Sequence, residues 1–213
     1  MTMIDTIDKK CSVCGKSSPQ HVLMSTNSMG YLDLDLRPPE MKRSTMNTWI
    51  DECPYCGYVA SSLSEESKIS KDFLKSDEYL TCDGYDFKGN LSKLFYRQHL
   101  IAKKSNDAME AFLSLQHCAW DCDDNDDENA SDIRKLALPY IDELIENDDE
   151  DRNVLLVIKS DFLRRSCEFD QLISEYENLT IGDDTMDKII RFEIQKAYEK
   201  DTDCYTLEDV VGQ

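Results

Sequence analysis

Residues 11–15 read Cys-Ser-Val-Cys-Gly and residues 53–57 read Cys-Pro-Tyr-Cys-Gly, so one local pattern occurs twice in the first part of the chain. Zinc is bound tetrahedrally by four soft ligands, and two cysteines two residues apart on a tight turn supply two of them. The glycine after each pair allows the turn and leaves amide N–H groups free to bond the sulfurs. The pattern predicts one structural zinc ion held by Cys11, Cys14, Cys53 and Cys56.

Two other chemistries share part of this pattern. A C-x2-C pair also occurs in thioredoxin-like redox proteins, and iron–sulfur centres use four cysteines. The redox pair, however, belongs at the start of a helix in a βαβ unit, and the sequence shows no such unit. Because four cysteines leave no open coordination position, we expect a structural site and not a catalytic one. Metal removal should then unfold residues 1–62 and leave most of the helical signal intact.

The charge of the chain is distributed unevenly. The formal net charge is −20, of which −1 falls on residues 1–62 and −19 on residues 63–213. Nucleic acids are bound by accumulated Lys and Arg, so this acidic body argues against a nucleic-acid partner. The sequence contains neither a membrane-span pattern nor a signal-peptide pattern, and its nine cysteines are irregularly spaced. We therefore expect reduced thiols, no membrane partner and a cytoplasmic location.

Alternating residues in the first segment predict short strands. Leucines alternate with polar residues over 31–37, which is typical of a half-buried strand, and residues 48–52 form a second candidate. A stiff loop containing a proline pair follows the first candidate. Two interpretations of this loop stay open: it docks a partner, or it ends the strand and ties the loop to the ribbon. Its residues are Arg37, Pro38, Pro39, Glu40 and Met41.

From about residue 64 onward, apolar residues recur with the helical period. Ser64, Glu65 and Glu66 predict the start of the first helix. Residues 77–89 are typical of an irregular connector. Pro139 predicts a kink within a helix or a new helix start. The acidic runs 121–128 and 146–151 are expected to be solvated loops, and the first lacks the glycine of a calcium-binding EF-hand loop. Six apolar stripes predict six helices, within 91–102, 108–122, 133–145, 154–162, 169–179 and 186–197.

The remaining cysteines and histidines give no catalytic constellation. Cys118 and Cys122 continue an apolar stripe and are expected in the core, although a second metal site that includes His117 is the alternative. Without that site, His117 is expected at the surface and His99 packed beside its stripe. No histidine has an obvious nucleophile near it in the sequence, so we expect no enzyme.

Several of these motifs together resemble a known group. The two cysteine pairs, the run Asp-Leu-Asp-Leu-Arg-Pro-Pro-Glu-Met at 33–41 and Trp49-Ile50 before the second pair are similar to uncharacterised bacterial proteins that join a zinc ribbon to a tetratricopeptide-like helical domain. Residues 161–173 look like the hinge between two helices of such a repeat. Cys167 stands where these repeats usually have glycine, and Leu172 where they have alanine.

The resemblance implies an α+β, mostly α fold, and it brings no known activity with it. Residues 1–62 would form the four-cysteine zinc ribbon, and residues 63–213 an acidic, tetratricopeptide-like array of antiparallel helices. Helical repeats bind partners on a concave surface, so we expect a non-enzymatic scaffold with a protein partner of basic character. The alternative is a thiol-based redox sensor or zinc-exchange protein, which would need exposed thiolates of low pKa.

Overall fold

Each cysteine pair lies in the turn of an antiparallel β-hairpin. The computed structural model describes residues 1–147 and 150–212. Strand β1 (Met3–Lys10) pairs along its length with β2 (Ser17–Ser25), and the turn between them holds the first cysteine pair. Strand β3 (Asp51–Glu52) pairs with β4 (Val59–Ala60) around the second pair. No sequence pattern predicts β1, because almost all of it is exposed and it has no buried alternating face.

The prediction of a strand over residues 31–37 is wrong. The stretch instead turns, with the Leu36 N–H donating to the Asp33 carbonyl oxygen at 2.9 Å, and a single β-bridge joins Asp33 to Thr206. Asp33 and Asp35 are buried, whereas Leu36 is exposed. Leu34 is buried as well, so aspartates and a leucine point inward together and the two faces that the alternation implies do not form. The buried aspartates are tolerated because they have charged and polar partners.

The short elements between the ribbon and the helices also differ from prediction. Only the last two residues of the predicted 48–52 strand belong to β3, since a 3-10 turn occupies Arg43–Thr48. No helix begins at residue 64, because residues 64–72 form turns and bends that are mostly exposed. The first α-helix, α1 (Asp77–Thr81), lies inside the predicted connector and starts where the Ser76 hydroxyl accepts the Tyr79 N–H.

The six predicted helices are confirmed, and the α+β, mostly α class with them. From α2 onward, consecutive helices contact each other, and α5 also contacts α7. Helix α4 runs through Pro139 without interruption. After α1, the helices of the described chain are α2 (Asn90–Ser105), α3 (Ala108–Asp124), α4 (Ala130–Asn147), α5 (Arg152–Arg165), α6 (Phe169–Tyr176), α7 (Asp184–Glu199) and α8 (Leu207–Val211).

The acidic run 121–128 is not a solvated loop. Its first four residues belong to α3, and Asp121 and Asp127 are buried. Asp121 accepts the backbone N–H of Ser92 at 2.7 Å, and Asp127 accepts that of Lys88 at 2.8 Å. Asp121 thus satisfies an N–H group in the first turn of α2, which lacks a partner within the helix, and Asp127 holds the chain just before that helix. The second run, 146–151, includes residues 148 and 149, which lie outside the described residues.

One hydrophobic core crosses the boundary at residue 62. It includes Cys11 and Ile50 from the first segment and Phe95, Leu115 and Phe162 from the helices. The Leu34 N–H also donates to the Tyr205 carbonyl oxygen at 3.0 Å, which joins the first segment to the chain end. The division into two folding units stays a prediction, and the two segments pack against one core.

Candidate functional site

The four predicted ligands meet at one point. The Sγ atoms of Cys11, Cys14, Cys53 and Cys56 all lie within 4.8 Å of one another. Two of the separations are 3.8 Å, between Cys11 and Cys56, and 3.6 Å, between Cys14 and Cys53. Zn–S bonds of about 2.3 Å in a tetrahedron place the sulfurs about 3.8 Å apart, whereas a disulfide needs about 2.05 Å. The sulfurs are therefore spaced to hold a metal ion and not to pair with each other.

Two matching turns position these sulfurs. The Gly15 N–H donates to the Cys11 carbonyl oxygen at 2.8 Å, and the Gly57 N–H donates to that of Cys53 at 2.9 Å. The two glycines have φ of 77° and 72°, in the left-handed region where a side chain is disfavoured. The turn predicted at the glycine after each cysteine pair is confirmed at both positions.

The site is closed towards the protein interior. Cys11 and Cys53 are fully buried, while Cys14 and Cys56 are half-buried. Four protein sulfurs complete a tetrahedral set, which leaves no position for a substrate. The arrangement fits a structural metal, whose chemistry here is to supply positive charge among four thiolates.

The pKa values of the thiols differ across the site. The backbone N–H of Lys16 lowers the pKa of Cys14 to about 7. Burial raises the pKa of Cys53 and of Cys56. A thiol in the second pair therefore resists ionisation by itself, and a bound cation offsets that cost because it favours the thiolate.

Polar contacts join the cysteine site to its surroundings. The Tyr79 hydroxyl from α1 donates to the Gly57 carbonyl oxygen at 2.6 Å. Asp51, which is buried, pairs with Lys9 at 2.7 Å and accepts the Leu63 N–H at 3.1 Å. These contacts hold the second turn on the helical segment and the first hairpin on β3.

The predicted partner loop is partly unavailable at the surface. Arg37 is 3 % exposed, its guanidinium pairs with Asp124, and Pro38 is buried. Glu40 is exposed and accepts a hydrogen bond from the Ser44 hydroxyl at 2.6 Å. Of the loop residues Arg37, Pro38, Pro39, Glu40 and Met41, the first two therefore fasten the loop to the helices and do not face solvent.

A buried charge cluster holds the 31–37 stretch on the helices. Asp35 is fully buried, and its Oδ2 accepts the Trp120 Nε1–H at 2.7 Å and an Arg165 N–H at 3.4 Å. Its carbonyl oxygen accepts the Gln116 side-chain N–H at 2.9 Å. Asp35 belongs to a set of ion pairs between four arginines and five carboxylates, which we name the arginine cluster. Its members are Arg37, Arg134, Arg164, Arg165, Asp35, Asp123, Asp124, Asp161 and Glu193.

The carboxylates of the arginine cluster have shifted pKa values. Burial alone would raise the pKa of Asp123, but the guanidiniums of Arg134 and Arg165 lower it. Burial raises the pKa of Asp161 to about 6 and that of Glu193 to about 8. Several charged residues lie on the buried side of α5. The periodicity of apolar residues does not predict that these charged residues are buried, so it does not predict the arginine cluster.

Two histidines are packed and unsuited to catalysis near neutral pH. His99 is 1 % exposed and its Nδ1 lies 3.3 Å from the Ala111 carbonyl oxygen, as predicted for a packed residue. His117, predicted at the surface, is half-buried: its ring packs against Trp49 and Trp120 at centroid distances of 5.2 and 5.1 Å and lines a surface cleft. Burial lowers the pKa of both to about 4.

Two cysteines outside the site, Cys118 and Cys122, lie in the core as predicted. Cys118 and Cys122 are fully buried in α3. Among the residues that the structure describes, they form no metal-ligand group with His117, and the four-cysteine set is the group found.

Comparisons with protein-family models, curated proteins and solved structures give no significant match. The family resemblance and its tetratricopeptide-like part therefore stay predictions. Within the described ranges, no helix has both the length and the apolar composition that crossing a bilayer requires.

Proposed function

We propose that this protein is a non-enzymatic, zinc-binding interaction protein of the cytoplasm. One structural Zn²⁺ on Cys11, Cys14, Cys53 and Cys56 would hold the two hairpin turns together, and the helical part would bind a protein partner. The observation that carries the zinc assignment is the sulfur spacing of 3.6 and 3.8 Å, which matches the edge of a zinc tetrahedron. All nine cysteines are free, which fits a reducing compartment.

Energetics support a structural role for the metal. The β3–β4 pair spans two residues on each strand, and β1 is largely exposed. Two-stranded pairs of this kind are marginal in water without further support. A metal that joins both turns therefore contributes directly to the folding free energy of this region.

The histidines support a role without catalysis. His99 and His117 are packed, and His21 lies on the exposed hairpin, where its Nδ1 is 3.2 Å from the Thr6 hydroxyl. A general base must reach its substrate with a pKa near the working pH. The lowered pKa values of His99 and His117 do not meet the second requirement.

Native mass spectrometry of the protein purified without added metal tests this proposal. We expect one zinc ion per chain in the wild type and none in Cys53→Ser. Cys167→Ser is the matched control, since Cys167 is exposed and outside the site, and it should keep the zinc. Absence of metal from the wild type, or iron in its place, would contradict the proposal.

Thiol titration of the zinc-loaded protein separates the scaffold from the sensor alternative. Slow modification of the four ligand cysteines, relative to the exposed Cys167, agrees with a protective structural site. Rapid modification of all four would instead favour redox sensing or zinc exchange.

A further inference from the structure

Residues 201–207 form a strap between the helices and the first segment, which we name the C-terminal strap. Backbone hydrogen bonds join it to the first segment. The Leu34 N–H donates to the Tyr205 carbonyl oxygen at 3.0 Å, and the Leu207 N–H donates to the Leu32 carbonyl oxygen at 2.9 Å. The strap therefore links the end of the chain to the stretch that follows the first hairpin.

One guanidinium binds the strap from the helical side. Arg164 of α5 donates from Nη1 to the carbonyl oxygens of Asp201 and Asp203 at 3.1 and 2.8 Å. Its Nε donates to the Glu193 carboxylate of α7, and its Nη2 donates to the Asp161 carboxylate at 2.9 Å. Two carboxylates and two carbonyl oxygens therefore share a single positive charge.

Each of these two carboxylates has one oxygen without a hydrogen bond. The Glu193 side chain is fully buried, and within the described part of the chain its Oε1 accepts no hydrogen bond. The same holds for Oδ2 of Asp161, which lies 3.9 Å from Nη1 of Arg165. A buried carboxylate oxygen without a donor is costly, whereas a protonated carboxyl group carries no charge.

The arginine cluster has fewer cations than carboxylates. Its four arginines face five carboxylates, so full ionisation would leave a net charge of −1. A carboxyl group that is buried beside another carboxylate keeps its proton more readily. Burial raises the pKa of Glu193 to about 8 and that of Asp161 to about 6, which agrees with a proton retained on Glu193.

We propose that Glu193 is protonated at neutral pH and that release of this proton loosens the C-terminal strap. The strap points carbonyl oxygens at Arg164, so their negative ends lie near the place where an ionised Glu193 adds negative charge. Opening the strap lets water solvate that charge. This pH-dependent contact goes beyond the proposed zinc-binding function and does not depend on it.

The ionisable groups around Glu193 lie on the elements that contact α7. Asp161, Arg164 and Arg165 of α5 face it. Burial opposes the charges of the two arginines, but neighbouring carboxylates raise the pKa of both. Glu177 of α6 is exposed, and none of the described residues of α8 is buried. The helices therefore contribute cations that stay charged and one carboxylate with a lower pKa.

The strap contributes a carboxylate, a thiol and a phenol. The Tyr205 hydroxyl donates to Asp201 at 2.6 Å, which lowers the pKa of Asp201 and raises that of Tyr205. Burial raises the pKa of Cys204 to about 12. Between pH 6.5 and pH 8 these groups keep their charge while that of Glu193 changes.

The closed strap holds this proton more tightly than the open strap does. The pKa of Glu193 is about 8 when buried, against 4.5 for an ordinary glutamate. Between these values opening releases a proton, so it becomes more favourable as the pH rises. Between pH 6.5 and pH 8 the opening equilibrium should increase by about tenfold, and it should level off above pH 8.

Hydrogen exchange of the full, zinc-loaded chain measures strap opening. The reporters are the N–H groups of Leu34 and Leu207, which donate across the strap. Their protection factors, from which the intrinsic pH dependence of exchange has been divided out, should fall by about tenfold in the wild type between pH 6.5 and pH 8.

Two glutamine variants identify the titrating group. Glu193→Gln replaces the carboxyl group by an uncharged amide of the same shape, so the same protection factors should change by less than about twofold. Glu143→Gln, at an exposed position of α4, is the matched control and should follow the wild type.

Carbon-13 NMR of the Glu193 carboxyl group in the wild type tests the proton itself and needs no variant to fold. We expect its chemical shift to titrate near pH 8. Titration near pH 4.5, or an equal loss of protection in wild type and Glu193→Gln, would overturn the proposal. Unchanged strap protection in the wild type across the titration would overturn it as well.

Discussion

Asp35 shows how one residue can decide the position of a whole stretch of chain. Its carboxylate accepts hydrogen bonds from Trp120 of α3 and Arg165 of α5, and its carbonyl oxygen accepts one from Gln116. A buried charge without partners is very costly, whereas a paired one is tolerated. Asp35 therefore stabilises the 31–37 turn only because these donors are already in place on the helices.

Asp35→Asn should lower the free energy of unfolding by about 3 kcal/mol, because it leaves Arg165 without one of its buried carboxylate partners. Urea denaturation measures this change. Asp8→Asn, on the exposed side of β1, is the control and should stay within about 0.5 kcal/mol of the wild type. Equal stability of the two variants would show that the Asp35 contacts contribute nothing net.

The two packed histidines predict how stability depends on pH. Burial lowers the pKa of His99 and His117 to about 4, from an ordinary value of 6.5. Between these values each histidine binds more protons in the unfolded chain than in the folded chain, so the histidine contribution to the free energy of unfolding decreases as the pH falls, whereas the raised pKa values of Asp161 and Glu193 act in the opposite direction. Each histidine should contribute a slope of about 1.4 kcal/mol per pH unit in this window.

Urea midpoints of the wild type and His117→Gln between pH 6.5 and pH 4.5 check this slope, since glutamine does not titrate. The variant should lose stability more gradually than the wild type on acidification. An identical slope in both proteins would mean that His117 has an ordinary pKa in the folded state.

At the scale of elements, the turn between α5 and α6 departs from the residue that its geometry favours. Cys167 has φ of 65° and is exposed. Glycine adopts this conformation at no steric cost, which agrees with the glycine that the resemblance implies at this position. The turn therefore forms in spite of its residue, held by the packing of α5 against α6 and α7.

Cys167→Gly should raise the free energy of unfolding by about 1 kcal/mol, because relief of the left-handed strain exceeds the added freedom of the unfolded chain. Thermal denaturation measures the gain. Cys167→Ala keeps the strain and should be close to neutral. A loss of stability in the glycine variant would show that the Cys167 side chain makes a contact worth more than the strain.

A helix or strand could be predicted from the sequence where its apolar residues mark a buried face. Helices α2 to α7 carry such stripes, and the sequence predicts all six. Strand β1 has no buried face, so no pattern predicts it. The 31–37 stretch misleads because its buried residues are aspartates, and their partners on α3 and α5 lie far away in the sequence.

The candidate site was predictable for a different reason. Metal ligands depend on residue type and local spacing, so the four cysteines could be identified without any knowledge of the fold. The arginine cluster depends on which distant residues the fold brings together. The burial of Arg37 does not follow from local sequence.

In the whole molecule, the cysteine site and the helices share a core, but different interactions stabilise them. Helices α2, α3 and α4 contact one another without any of the four cysteines. We expect the turns at 11–16 and 53–58 to depend on a bound metal, since the second turn closes strands of two residues each and the first closes a largely exposed hairpin.

Chelation of the metal should therefore loosen the first segment and spare the helices. Hydrogen exchange should show faster exchange at residues 11–16 and 51–60 after metal removal, with α2 to α4 still protected. Far-ultraviolet circular dichroism should keep most of its helical signal. Loss of protection along the entire chain would mean that ribbon and helices unfold as one unit, and would contradict the division at residue 62.

X-ray absorption at the zinc edge, on protein purified without added metal, tests whether four cysteine sulfurs bind one zinc ion. We expect a shell of four sulfurs at about 2.3 Å and no nitrogen or oxygen ligand. A shell containing nitrogen or oxygen at about 2.0–2.1 Å would contradict a closed site of Cys11, Cys14, Cys53 and Cys56.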